Sequence, residues 1–131
     1  MKNSIEVIRP GATAAHARVA LFDFDGTLSL VRSGWVDVMV PMMVEILAAQ
    51  KSGESEAGLT AIVNDFVARL TGKQTIYQMI HLCEEVTRRG GTPREPLFYK
   101  RLYSELLNER IKDRLEALRT GQASPEKYLV P

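Results

Sequence analysis

Between Trp35 and Leu118 the apolar side chains recur at intervals of three and four residues in four successive stretches, which restricts this chain to a mostly helical fold. The first stretch, Trp35 to Gln50, carries apolar residues at 35, 36, 39, 40, 43, 44, 46 and 47 and keeps a broad apolar face despite Pro41. A Ser/Gly/Glu loop over Lys51–Gly58 leads to Leu59–Leu70, where Leu59, Ile62, Val63, Phe66, Val67 and Leu70 share one side. Gly72 is a natural stop behind it. Gln74–Arg89 repeats the pattern with Ile76, Tyr77, Ile80, Leu82, Cys83 and Val86, and Gly90-Gly91 ends it. Thr92-Pro93-Arg94-Glu95 has the form of a capping box with proline at the first helical position, and Pro96 offers a slightly later start. From there a long helix is expected to about Leu118, with Phe98, Leu102, Leu106, Leu107, Ile111, Leu115 and Leu118 on its apolar side and Gly121 closing it. Antiparallel helices with connections this short pack as a small bundle.

Upstream of the helices the pattern changes. Arg18 to Asp23 is a compact apolar run before a turn signal, and a run apolar on both faces suits a buried strand of a parallel sheet. Periodicity alone leaves a turn of helix open there. Lys2–Ala17 reads as an extension, with an extended piece at Ile5, Val7 and Ile8 and a turn at Arg9-Pro10-Gly11. The chain has 131 residues, enough for one ordinary domain or a small domain with part of another. With 45% apolar and 25% charged residues its composition is that of a soluble globular protein.

A net charge of +1 argues against a nucleic-acid partner, and Arg88-Arg89 and Lys100-Arg101 sit among acidic neighbours. A single cysteine, Cys83, excludes an internal disulfide and fits a reducing compartment. Glu6, Arg9, Pro10 and His16 interrupt any apolar leader, and no stretch reaches the ~20 apolar residues of a membrane span, so the expected location is cytoplasmic, without a membrane partner.

The residues that carry chemistry follow the apolar run: Asp23-Phe24-Asp25-Gly26-Thr27-Leu28. In an open α/β sheet, ligands bind beyond the carboxyl ends of the strands. Strand alternation would send Asp23 and Asp25 to one side and turn Phe24 into packing. Gly26 permits a tight reversal that brings backbone N–H groups towards an anion. A calcium loop fails on spacing, because the twelfth position counted from Asp23 is Gly34 rather than a glutamate.

Val19-Ala20-Leu21-Phe22-Asp23-Phe24-Asp25-Gly26-Thr27-Leu28 resembles the first signature, hhhhDxDGT[LV], of the haloacid dehalogenase superfamily. The resemblance implies an α/β fold, a Rossmann-like core with an inserted helical cap, of which this chain would supply one core β-strand and a four-helix cap. It implies Asp23 as a nucleophile forming an aspartyl-phosphate, and Asp25 as general acid and then base. It implies Mg²⁺ held by the Asp23 carboxylate and the Asp25 main-chain carbonyl, with Gly26 and Thr27 contacting the phosphoryl oxygens. An aspartate at the second position looks like the phosphatase branch, with a small phosphorylated metabolite as substrate.

On this resemblance residues 1–32 are the extension and first core strand, 33–124 the cap, and 125–131 a tail leading back towards a core. Arg32 and Lys73 are candidate phosphate or substrate contacts, against the plainer reading of surface cations. Trp35, Met39, Met42 and Met43 could line a substrate pocket, although helix-core packing is the simpler account. His81 and Cys83 do not share a helix face and read as packing or surface residues.

The family pattern also has a downstream Ser/Thr, a Lys or Arg facing the phosphate, and a late acidic pair. Lys112-Asp113 and Glu84-Glu85 fall within expected cap helices and do not replace them. The chain is therefore expected to be truncated and inactive by itself, with self-association through the unpaired strand or apolar helix faces. Alternatives are a catalytically inert helical domain and a phosphosugar mutase.

Overall fold

A computed structural model describes residues 8–130. Four helices follow one another: α1 (Val36–Ala48), α2 (Glu56–Leu70), α3 (Thr75–Arg88) and α4 (Pro96–Arg119), with a 3₁₀ turn at Pro125–Tyr128. The fold is predominantly helical. Helix α1 packs chiefly on α2 and α3 chiefly on α4, while α1 also touches α3 and α4 and so joins the two pairs. The core is filled by Met39, Met43 and Leu47 of α1, Val63 and Phe66 of α2, Met79, Leu82 and Val86 of α3, and Leu107 and Ile111 of α4. Met42 is buried as well, so Met42 and Met43 serve the core, while Met39 is both a core residue and, with Trp35, part of a cavity wall. No helix among the described residues is long and apolar enough to cross a membrane.

Helix α2 starts three residues before the periodicity suggested, because Ser55 caps it: its Oγ accepts the Gly58 N–H at 3.1 Å. Ser55→Ala leaves that donor without its partner and is expected to cost about 1 kcal/mol. A drop in melting temperature of about 3–5 °C by circular dichroism is the matching readout, and no change would remove the cap from the account. The capping box at Thr92–Glu95 does not form. Glu95 is the N-cap, without a side-chain bond, and Pro96 is the first helical residue. The proline drives Glu95 out of the helical region, to ψ 143°, so the later start prevails.

Two faces differ from expectation. In α3, Tyr77 and Ile80 are exposed, whereas Gln78 and Glu85 are buried. In α4 the buried stripe is Tyr99, Tyr103, Leu107 and Ile111, and Phe98, Leu106 and Leu115 lie outside it. A stripe set by two tyrosines is displaced around the helix from the one the leucines suggest.

The expected core strand is absent. Among the described residues there is no regular strand, and Val19 (79%), Leu21 (95%) and Phe22 (68%) are exposed. The physical reason is that a strand's N–H and C=O groups and both apolar faces need neighbours, and none stands beside Arg18–Asp23. The turn at Arg9-Pro10-Gly11 does form, with the Ala12 N–H on the Arg9 carbonyl at 3.2 Å, whereas Ile5 and Val7 of the expected extended piece lie outside the described residues.

The expected tail is folded back. The Leu30 N–H donates to the Tyr128 carbonyl at 2.7 Å and the Val130 N–H to the Leu28 carbonyl at 3.2 Å. Residues 28–30 and 128–130 thus run antiparallel around a bridge between Ser29 and Leu129. Arg114 of α4 fixes the outgoing segment, donating to the Val31 and Ser33 carbonyls, both at 2.8 Å.

Candidate active site

The Asp23–Leu28 segment forms a closed loop. The N–H groups of Leu28 and Ser29 both donate to the Phe24 carbonyl, at 3.0 and 2.8 Å, and the Gly26 N–H donates to the Ser29 carbonyl at 2.8 Å. Gly26 has φ +81°, and a Cβ there would meet nothing within 4 Å. Glycine is therefore required by backbone conformation rather than by space. Thr27 Oγ1 donates to Asp23 Oδ2 at 3.4 Å, a long bond between exposed groups.

Asp25 turns to a different partner. Arg32 Nη1 lies 3.2 Å from its Oδ2, with the two side chains 46% and 45% exposed, so the pair orients both groups while adding little stability. Together they enter a cavity of about 360 Å³ between the loop, α1, α3 and α4. Lys73, before α3, and Lys100, on α4, line the same cavity, with Trp35 and Tyr103 on its walls. The Tyr103 phenol is held above its usual pKa, chiefly by burial, with Arg32 opposing the rise and Asp25 adding to it. It therefore stays protonated and able to donate across the neutral range.

The cavity thus joins Asp25, Arg32 and Lys73 with Trp35 and Met39, and its lining does not include Asp23, Gly26 or Thr27, which stand on the loop beside it. Lys100, Tyr103 and the buried Gln78 escaped the sequence reading. Lys100, Tyr103 and Leu107 follow a three- and four-residue spacing, but that stripe was hidden behind the apparent leucine face of α4.

The oxygen donors here suit a hard cation: the Asp23 carboxylate and the Asp25 carbonyl, which accepts no backbone hydrogen bond within the loop. No cluster of three or more His, Cys, Asp or Glu able to hold a metal ion occurs among the described residues. Mg²⁺ commonly takes one or two protein carboxylates and completes its shell with water and phosphate oxygens, and the Asp23 carboxylate is a donor of that kind. Compared with protein-family models, curated proteins and solved structures, the chain matches none of them.

Proposed function

We propose that this chain carries the nucleophile and the acid–base group of a haloacid-dehalogenase-like phosphohydrolase acting on a small phosphomonoester. The observation that carries the reading is the meeting of Asp25 of the Asp-Phe-Asp-Gly-Thr loop with Arg32 at the mouth of a shared cavity. Arg32 beside that carboxylate is a cation able to turn to the oxygens of a bound phosphate. The antiparallel pairing of residues 28–30 with 128–130 also suits helices inserted into an α/β core.

In this reading an Asp23 carboxylate oxygen attacks phosphorus, and the bond to the leaving oxygen breaks as Asp25 gives that oxygen a proton. Water then attacks the aspartyl-phosphate, Asp25 takes up its proton, and inorganic phosphate leaves. Arg32 has to exchange Asp25 for phosphoryl oxygens before Asp25 can carry the first proton. Mg²⁺ held by the Asp23 carboxylate and the Asp25 carbonyl would supply neutralisation of the phosphate charge.

The test is hydrolysis of an aryl phosphate with and without Mg²⁺, beside Asp23→Asn. Metal-dependent release of phosphate, reduced by about 10³-fold or more in the variant, is the result that supports the reading. Exposure of the segment leading into Asp23 favours a second reading, an inert helical domain that joins another chain through Val19, Leu21 and Phe22. Absence of turnover in every condition would leave that one standing.

A further inference from the structure

The cavity beside Asp25 has a charge pattern that the proton-transfer role does not use. Its lining holds three cations, Arg32, Lys73 and Lys100, against one carboxylate, Asp25. Arg32 is already paired with Asp25. Lys73 and Lys100 have no acidic partner within salt-bridge distance among the described residues. Two uncompensated ammonium groups on one concave surface repel each other, and an anion between them relieves the repulsion.

Two more features point the same way. Gln74, the N-cap of α3, makes no side-chain cap bond, and Thr75 of the first turn, where the helix dipole is positive, lines the cavity. Gln78, only 3% exposed, lines the same space and makes one hydrogen bond of 3.5 Å, to the Val67 carbonyl. Its carboxamide is thus nearly free to meet a ligand. A larger hollow of about 450 Å³ between α1 and α2 is rimmed by Glu45, Glu54 and Glu56 with Lys51 as its cation.

We propose that Lys73 and Lys100 bind a second anionic group, a carboxylate or a further phosphate, on the leaving-group side of the substrate. The assignment to a phosphomonoester rests on the function proposed above; the anion site rests on the cavity alone. A volume of about 360 Å³ suits a compact dianionic molecule.

Trp35 is the single tryptophan and lines the cavity, so its fluorescence reports occupancy directly. The full chain is titrated with malonate and, separately, with inorganic phosphate, each against sodium chloride at matched ionic strength. A saturable change is expected with at least one of them, weakened about tenfold in Lys73→Gln and in Lys100→Gln, and kept in Asp23→Asn. Circular dichroism confirms that the variants remain helical. Tighter malonate binding identifies a carboxylate as the second group, and tighter phosphate binding a phosphate. A response equal to that of chloride, or variants that bind as the native chain does, overturns the proposal. Anion binding without phosphatase turnover sinks the phosphohydrolase reading alone, and turnover without anion binding sinks this one alone.

Discussion

Arg89→Met is expected to lower the stability of the helical bundle by about 3 kcal/mol, towards the lower end of what breaking a buried ion pair costs. Arg89 is only 6% exposed and ties two parts of the chain together. Its Nη1 meets Glu85 Oε2 at 2.6 Å, and its Nε and Nη2 grip both carboxylate oxygens of Glu54, at 2.6 and 2.8 Å, ahead of α2. Without the guanidinium, Glu85 stays 2% exposed and keeps only Arg88, at 2.6 Å, and the weaker approach of His81, at 3.7 Å. Glu85→Met added to Arg89→Met should recover much of the loss, because the interior then no longer holds a carboxylate whose remaining strong partner is the exposed Arg88. Arg69→Ala is the control. That arginine bonds Asp65 at 2.9 Å on an open surface, and its removal should change stability by less than about 0.5 kcal/mol. Urea unfolding followed at 222 nm separates the cases. Equal midpoints for Arg89→Met and Arg69→Ala would sink the assignment.

The same cluster sets a pH dependence. The Glu54 carboxyl is held below its usual pKa, first by the Arg89 hydrogen bond and then by Ser52. Its folded value lies below its unfolded one, so the stabilisation is present at neutral pH and is lost as acid brings pH down through the folded value. In Arg89→Met that acid-side loss should shrink.

Asp25→Asn is expected to reduce steady-state hydrolysis of an alkyl phosphate by about 10²–10⁴-fold, the usual worth of a positioned acid–base group. Asparagine keeps an oxygen for Arg32 but carries no exchangeable carboxyl proton. An aryl phosphate should behave differently, since its leaving oxygen departs without a proton. Asp23 would then still be phosphorylated while attack by water lacks its base, giving a burst of phenolate and an accumulating phosphoenzyme. Intact-mass measurement after rapid quenching detects that species. An Asp25→Asn protein with undiminished turnover of both esters would show that the acid–base group lies elsewhere.

The helices could be read from the sequence because their signal is local. Leu59, Val63, Phe66 and Val67 lie four or fewer residues apart, and one amphipathic face specifies them all. Gln78 and Glu85 were invisible as interior positions because their surroundings are built by distant residues, the walls of the cavity beside Asp25 for one and the Arg89–Glu54 cluster for the other. The strand failed for the converse reason. Val19, Leu21 and Phe22 have strand chemistry, but a strand is completed only by neighbours. At the candidate site, Asp23, Asp25 and Gly26 were legible as a motif. Lys100 and Tyr103 became visible only when α4 was laid across the loop, more than seventy residues away in sequence.

The pairing of residues 28–30 with 128–130 has a mechanical consequence. A bundle tethered by one backbone could spin freely about its bonds. Held by two backbones in register, with Arg114 pinning one of them, it resists torsion and yields mainly to bending across the strap. The two connections also leave the bundle side by side, since the Val130 N–H lies 3.2 Å from the Leu28 carbonyl.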